Sequence, residues 1–199
     1  MGTILISTVY SIEPVMACIN HFSPSKIILI SEKDAPKEKL DVENILKETI
    51  GKVIELETVK TELYDILKAA KDIADVIDEE SELGNSIIVN VSGSRKTQAL
   101  GALFGCYARA SSVDNVVYVV QETHDVIELP IISYGISNTK KKLLYILNEA
   151  GGTCSVKDLS DKLNISRGMV YHHINDLRDY GLIDKNEISI SFAGKLAII

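Results

Sequence analysis

Short apolar segments alternate with longer amphipathic segments through the first 130 residues, and this alternation restricts the fold more than any other feature. Strands joined by helices of ten or more residues indicate βαβ crossovers and a parallel sheet. Because each strand is apolar throughout, both faces of that sheet are expected to be covered. The segments predicted to be strands are residues 3–9, 26–31, 52–59, 86–91 and 115–121.

Right-handed crossovers between such strands give a Rossmann-like, doubly wound α/β domain with a mostly parallel sheet and helices on both faces. Residues 125–129 precede Pro130 and are predicted to form a short edge strand, where proline is tolerated. The long amphipathic segment 61–82 is predicted to be one helix. We therefore expect a Rossmann-like domain over residues 1–130.

The rest of the chain has a different pattern of apolar residues. We expect a linker at 131–137 and a second domain at 138–199. Three short amphipathic segments are predicted to be helices capped at Asn138, Ser155 and Ser166, and Gly181 follows the third. A tight turn precedes the third helix, and residues 182–191 suit a short hairpin. Three helices and a two-stranded wing describe a winged helix-turn-helix.

Charge is divided unequally between the two predicted domains. The whole chain carries a net charge of −7. Residues 1–130 contain 12 Lys and Arg against 21 Asp and Glu, a net −9, whereas residues 131–199 contain 9 against 7, a net +2. An acidic domain joined to a mildly basic one suggests different partners for each.

Several classes of protein are disfavoured by the sequence. Its longest apolar runs have strand length, and the first residues lack the basic flank of a secretory signal, so a cytoplasmic protein without a membrane partner is expected. The three cysteines are far apart in apolar contexts and suit reduced, buried thiols. No Cys/His pair has metal-ligand spacing, so no metal site is predicted, and no catalytic residue is assigned.

Two polar loops follow predicted strands and suggest a nucleotide pocket. A glycine permits close approach of a ligand, and a helix start offers free N–H groups to a phosphate. A Walker loop is not matched, because Asn90 and Arg95 stand where it needs glycine. A plain strand-to-helix turn is the alternative. The predicted ligand-binding residues are Thr8, Val9, Tyr10, Ser11, Ser92, Gly93, Ser94, Arg95, Lys96 and Thr97.

The third helix of the second domain is predicted to be a recognition helix for double-stranded DNA. Its apolar positions face the small core, which leaves polar residues near its N-terminus to read base edges. Lys185 and Asn186, at the tip of the predicted wing, are candidates to contact phosphates. A domain used only for protein contacts is the alternative. The predicted DNA-binding residues are Ser166, Arg167, Gly168, Tyr171, His172, Lys185 and Asn186.

The combination of the Ser92–Thr97 turn after the fourth strand with a winged helix resembles the archaeal CRISPR-associated transcriptional regulators, whose sensor is the CARF (CRISPR-associated Rossmann fold) domain. The resemblance implies a homodimer that binds a cyclic oligoadenylate, commonly the four-adenylate ring, across its two-fold axis. It also implies an effector ligand rather than a cofactor, and promoter DNA as the partner. On this resemblance, Ala99, Leu103 and Tyr107 are candidates for the axis.

Two other functions remain open at this stage. The first is a ring nuclease that cleaves the cyclic oligoadenylate in the same pocket, with Lys96 and Ser11 as candidates to stabilise developing charge. The second is a winged-helix repressor that senses an unrelated small nucleotide.

Overall fold

The computed structural model describes residues 2–151 and 154–199. The chain divides into two compact units, Met1–Ser133 and Tyr134–Ile199.

The first unit is built around a six-stranded sheet in the order β3-β2-β1-β4-β5-β6. Strands β1 to β5 are parallel, and β6 lies antiparallel to β5 at one edge, as predicted for the segment before Pro130. This confirms the predicted α/β fold with a mostly parallel sheet. The elements are β1 (Thr3–Thr8), α1 (Glu13–Phe22), β2 (Lys26–Glu32), α2 (Lys37–Thr49), β3 (Glu55–Thr61), α3 (Ile66–Glu82), β4 (Ser86–Asn90), α4 (Lys96–Ala108), β5 (Asn115–Val119) and β6 (Val126–Leu129).

Alternate side chains of the strands point to opposite faces of the sheet, and each face has its own apolar core. On one face Ile4 and Ile6 of β1 pack with α3 and α4. On the other face Leu5 packs with α1 and α2. Helices therefore cover both faces, which explains why β1, β2, β4 and β5 are largely apolar. The expectation that every strand is apolar is wrong for β3, an edge strand in which Glu55, Glu57 and Lys60 are exposed.

Two glycines allow α3 and α4 to approach closely. A Cβ at Gly101 would lie 2.6 Å from the Cβ of Ala69, and one at Gly105 would lie 2.7 Å from the Ala70 carbonyl oxygen. The side of α4 that carries these glycines therefore packs directly against α3.

The segment 52–82 departs from its prediction at both boundaries. β3 begins at Glu55 because a 3-10 turn at Ile50–Lys52 follows α2. β3 continues to Thr61, which pairs with Glu32 of β2. The predicted helix start at Thr61 is therefore wrong. Asp65 caps α3 instead, since its side chain accepts a hydrogen bond from the Lys68 amide.

The second unit contains α5 (Asn138–Glu149), α6 (Val156–Leu163), α7 (Arg167–Asp179) and α8 (Phe192–Leu196) around a small core. Ser155 and Ser166 cap their helices as predicted, but Ser137 rather than Asn138 caps α5. The predicted hairpin is reduced to one antiparallel bridge, Ile183 with Ile190. The sequence analysis missed α8, whose cap is Ser191. The sequence also predicts that Gly151 and Gly152 end the first of these helices, and Gly152 lies outside the described residues.

Candidate functional site

The switch point of the sheet lies between β1 and β4. These strands are parallel neighbours with Ser7 opposite Asn90, and the chain continues outward from them in opposite directions, to β2 and to β5. Such a reversal opens a crevice beyond the carboxyl ends of the two strands, where doubly wound proteins bind ligands. The two predicted loops both begin there.

Asn90, the fully buried last residue of β4, organises the second loop. Its side-chain amide donates to Ser7 Oγ at 3.0 Å, and its Oδ1 accepts from the Ser92 amide at 3.0 Å and from the Ser92 hydroxyl. Ser92 Oγ in turn accepts from the Val119 amide at 2.6 Å. The Ser92 hydroxyl is therefore used to join the loop to β5.

Gly93 joins the second loop to the first. Its amide donates to Thr8 Oγ1 at 3.2 Å, and Thr8 Oγ1 donates to the Asn90 carbonyl at 3.2 Å. A Cβ at Gly93 would lie 2.5 Å from the Thr8 carbonyl oxygen. The sequence analysis explained this glycine by the approach of a ligand. In the structure the space is taken by the backbone of the first loop.

The two loops border a crevice of about 540 Å³, within the range of roughly 300–1,000 Å³ common for small-molecule sites. Of the predicted residues, Tyr10, Ser11, Ser92, Gly93 and Ser94 line it. Tyr10 is 61% exposed, so its ring is available for stacking.

The other five predicted ligand-binding residues do not line the crevice. Thr8 and Val9 are buried beneath the first loop. Arg95 and Lys96 are exposed at the start of α4, and Thr97 Oγ1 donates to the Leu63 carbonyl at 2.6 Å. Arg95 and Lys96 thus supply positive charge at a helix N-terminus, whereas Thr97 is occupied within the fold.

The sequence analysis did not select four polar residues that also line the crevice, namely Glu13, Tyr118, Gln121 and His124. Glu13 begins α1, and its pKa is lowered below the usual value mainly by a hydrogen bond from Ser11, with the charge of His124 adding to the effect. The other three end or follow β5, the next strand beyond β4. We call the expectation that polar residues at the carboxyl end of a strand line the site the strand-end rule. Applied to β5 as well, it would have found these three residues.

The buried thiols offer no reactive group to this crevice. Burial raises the pKa of Cys18 and of Cys106 to about 12, so both are protonated at neutral pH. Across residues 2–151 and 154–199, no three His, Cys, Asp or Glu side chains come together in a way that would hold a metal ion. Within the same ranges no helix has the length and apolar character to cross a bilayer.

A second surface of interest is the N-terminal half of α7 in the other unit. Ser166, Arg167, Gly168, Tyr171 and His172 are all exposed there, while Val170, Ile174 and Leu177 are buried in the core. Met169, 45% exposed, lies on the same surface and was not selected from the sequence. Arg167 and Tyr171 therefore project from the helix start that reads DNA in helix-turn-helix proteins.

Farther along α7, Asp176 lies close to the basic side chains of Lys140 and His172. Asp176 Oδ2 forms an ion pair with Lys140 Nζ at 2.8 Å and lies 3.6 Å from His172 Nε2. The Lys140 hydrogen bond lowers the pKa of Asp176. Lys140 also lies 5.5 Å from the Tyr180 ring centroid, so it is held within the unit.

Arg178 fixes the turn that carries Lys185 and Asn186. Its guanidinium donates to the Asp184 carbonyl at 3.1 Å and to the Glu187 carbonyl at 3.4 Å. The Asp184 carboxylate accepts from the amides of Asn186 and Glu187, which lowers its pKa. Lys185 and Asn186 are consequently exposed on a turn held by four hydrogen bonds.

A larger, shallower cavity of about 830 Å³ lies beside α6 in this unit, lined by Asp158, Asp161 and Glu187 among others. Its three carboxylates outnumber its one lysine, Lys162, and disfavour an anionic ligand.

The fold defines a class of protein: an α/β Rossmann-like domain followed by a helix-turn-helix domain of a DNA-binding regulator. Residues 137–185 match the model of the bacterial regulatory proteins of the arsR family. The chain belongs to the family described as HFX_2341_N:-like, N-terminal, whose model matches residues 4–125, more than half of its length.

One protein with a similar sequence comes from Archaeoglobus fulgidus. This uncharacterized protein is 24% identical over 170 residues, which cover 79% of the present chain and 75% of the relative. The similarity therefore extends beyond the Rossmann-like domain.

Two solved structures share the fold. Protein VC1899 from Vibrio cholerae has a TM-score of 0.54 at 10% identity, covering 98% of this chain and 63% of its own. Enterococcus italicus Csm6 bound to cyclic hexa-2′-fluoro-hexa-dAMP has a TM-score of 0.50 at 11% identity, covering 91% and 56%. The present chain thus spans less than two thirds of either structure. At these identities the likeness to both structures is one of fold.

Proposed function

We propose that this protein is a homodimeric transcriptional regulator of CRISPR-associated genes that binds promoter DNA through α7 and senses a cyclic oligoadenylate in the crevice beyond β1 and β4. The observation that carries the proposal is the meeting of two polar loops at the switch point of the sheet, in a chain that also has a helix-turn-helix domain.

The crevice has features that suit a nucleotide. Tyr10 and Tyr118, 61% and 43% exposed, offer aromatic rings to bases. Arg95 and Lys96 lie at the adjoining start of α4, where free N–H groups and positive charge favour phosphates. In an acidic domain, these charges supply a local attraction for an anion.

The size of the crevice favours a shared ligand. About 540 Å³ suits one drug-sized molecule, and a ring of four nucleotides is larger than that. Two copies of the crevice, related by a two-fold axis, would together accommodate a ring with two-fold symmetry.

One face of α4 supplies the surface for a second copy. From Thr97 to Ala108 the helix has no charged residue, and its exposed side carries Leu100, which is 44% exposed, with Phe104 and Tyr107 half-buried. A helix that is apolar on all sides is normally buried on all sides. A second copy of this chain is the partner that the symmetric ligand requires.

The ligand proposal is tested by calorimetric titration of cyclic tetra-adenylate and cyclic hexa-adenylate into the full chain. We expect tight binding by the wild type and at least tenfold weaker binding by Arg95→Ala/Lys96→Ala. The matched control is Lys47→Ala/Lys52→Ala, which removes the same charge from exposed positions of the same domain. Binding of neither ring by the wild type, or equal losses in both double variants, would contradict the proposal.

The dimer proposal is tested by sedimentation of the full chain. Leu100→Glu places a charge on the exposed face of α4 and is expected to shift the protein to the monomer. Leu83→Glu changes another exposed leucine, 69% exposed at the end of α3, and is expected to leave the dimer intact. A wild-type monomer, with and without ligand, would argue against the shared site.

A second function, ring cleavage, is favoured by the presence of His124 and Glu13 beside Ser11 in the crevice. In this reaction a ribose 2′-oxygen attacks the adjacent phosphorus while its proton passes to His124. The bond from phosphorus to the 5′-oxygen breaks, and the 5′-oxygen takes a proton from water, which leaves a 2′,3′-cyclic phosphate and a free 5′-hydroxyl. Chromatography of the reaction over hours tests it, because the first linear product has the same mass as the ring and must be separated from it. Linear products formed by the wild type and absent with His124→Ala would support cleavage, and an intact ring in both would exclude it.

A further inference from the structure

A buried ion pair lies at the end of β2, outside the lining of the crevice. Glu32, the last residue of the strand, and Lys39, in the first turn of α2, have side chains that are only 5% and 3% exposed. Their charged atoms, Glu32 Oε2 and Lys39 Nζ, are 3.4 Å apart. Among the residues that the structure describes, neither atom has a hydrogen-bond partner. Burying charged groups so poorly satisfied is costly.

The neighbouring carboxylate shows that the fold satisfies buried charge elsewhere at this edge. Glu43 of α2 is buried to a similar degree. It accepts bonds from Lys60 Nζ at 3.0 and 3.1 Å and a further bond from the Ser31 hydroxyl. Glu32 and Lys39 therefore differ from Glu43, whose charge is fully bonded.

Tyr10 connects the pair to the crevice. Lys39 Nζ lies 5.7 Å from the centroid of the Tyr10 ring, and Tyr10 lines the crevice while remaining 61% exposed. An exposed aromatic side chain changes rotamer at low cost. Rotation of Tyr10 would uncover Lys39 and Glu32 to a ligand in the crevice.

We propose that Glu32 and Lys39 form a subsite for a ribose 2′-hydroxyl, which Tyr10 covers when no ligand is bound. A hydroxyl satisfies both groups at once, because it donates its proton to the carboxylate and accepts from the ammonium. A phosphate oxygen would be repelled by Glu32.

The place in the fold and the chemistry of the ligand both favour the 2′-hydroxyl. The sheet has the strand order of dinucleotide-binding domains, in which an acidic residue beyond the glycine-rich turn binds a ribose 2′-hydroxyl. In a 3′–5′ cyclic oligonucleotide the 3′- and 5′-oxygens are esterified, so the 2′-hydroxyl is the free one. This inference rests on the proposed function and names a specificity determinant of the same site.

Titration of the full chain with cyclic tetra-adenylate and with its 2′-deoxy counterpart tests the subsite. We expect the wild type to prefer the ribose ring roughly ten- to hundredfold, the usual effect of a hydrogen bond to a charged group. Glu32→Gln should lose most of that preference, and Glu32→Asp, which keeps the negative charge on a shorter side chain, should reduce it. The matched control is Glu43→Gln, which changes a buried carboxylate on the same edge and should keep the full preference.

Each result separates this inference from the function on which it rests. Loss of preference in the Glu32 variants, with preference kept in Glu43→Gln, supports the subsite. Tight binding of both rings without preference by the wild type, or full preference in the Glu32 variants, overturns the subsite and leaves the proposed function standing. A wild type that binds neither ring overturns both.

Discussion

Gly93 and Gly168 were both assigned to binding surfaces, and the structure gives them opposite surroundings. A Cβ at Gly93 would meet the Thr8 carbonyl oxygen at 2.5 Å, whereas one at Gly168 would have Ser166 Oγ at 3.9 Å as its neighbour. Gly93 is required by the packing of one loop on another. Gly168 is a helical residue with open space around it, and packing does not explain it.

The same difference separates the two regions to which these glycines belong. At the crevice, Gly93 bonds to Thr8, and Thr8 and Ser92 each bond to Asn90. On α7, the residues selected for DNA contact are exposed. Polar residues beside a strand end can either bind a ligand or hold the loops of the fold together. Polar residues on the outer face of a helix are available only to solvent or to a partner.

The largest expected effect comes from adding a methyl group at each glycine. Gly93→Ala should lower the free energy of unfolding by about 3 kcal/mol, because the methyl meets a backbone oxygen that has little room to move. Gly168→Ala should raise it by about 0.5–1 kcal/mol, since alanine favours the helix. Urea unfolding of both variants measures the contrast. Equal stabilities would show that the first loop yields to a side chain.

Gly168→Ala also tests the function of its region. If the small residue allows the DNA backbone to approach α7, the more stable variant should bind DNA more weakly in a mobility assay. Unchanged affinity would leave Gly168 without a role in binding.

The next effect concerns the side chains around Gly168. Arg167→Ala and Tyr171→Ala should each weaken specific DNA binding by about 1–3 kcal/mol if the side chain contacts a base. Unfolding should be nearly unchanged, because both residues are exposed. Fluorescence anisotropy with promoter DNA at several salt concentrations measures the affinity. Lys195→Ala, which removes an exposed charge from α8, is the control, and equal losses in all three variants would argue against recognition by α7.

The fold was predictable because its signal is repeated. Five strands, all but β3 largely apolar, and the helices between them indicate a parallel sheet, so an error such as the helix start at Thr61 leaves the topology unchanged. That error arose because Thr61 pairs with Glu32, a contact between strands that periodicity within one segment does not reveal.

The crevice was only partly predictable. The strand-end rule selects Tyr10, Ser11 and Ser94, which line it, but it also selects Thr8 and Val9, which are buried. It was not applied beyond β5 and so missed His124. The pairing of Glu32 with Lys39 depends on where α2 begins relative to β2, which a single sequence does not specify.

A smaller effect distinguishes two serines of the second loop. Ser92→Ala removes the acceptor of the Val119 amide and a donor to Asn90, and should lower the free energy of unfolding by about 1–2 kcal/mol. Ser94 Oγ donates to the adjacent Arg95 carbonyl at 3.2 Å, so Ser94→Ala should change stability by less than about 0.5 kcal/mol. Thermal unfolding of both variants checks the order. A reversed order would mean that Ser94, not Ser92, holds the loop.

The smallest effect concerns the inner edge of α7, at His173. Burial lowers the pKa of His173 below its usual 6.5, and the positive charges of Lys140 and His172 lower it further, against the opposing charge of Asp176. Its Nδ1 is buried without a hydrogen-bond partner among the described residues. The folded chain therefore keeps His173 neutral at a pH where the unfolded chain protonates it.

The pH dependence follows from that difference. Since the unfolded state binds the extra proton, the stability contributed by neutral His173 is complete above pH 6.5 and is lost as the pH falls from there towards the folded pKa. His173→Gln cannot take up this proton, so its second unit should lose less stability between pH 7.5 and 5.5. Hydrogen exchange of the α7 amides, corrected for the intrinsic rate at each pH, measures the change in that unit. His172→Gln, at the exposed neighbouring position, should keep more of the wild-type dependence than His173→Gln, and an equal flattening in both variants would show that burial of His173 is not its cause.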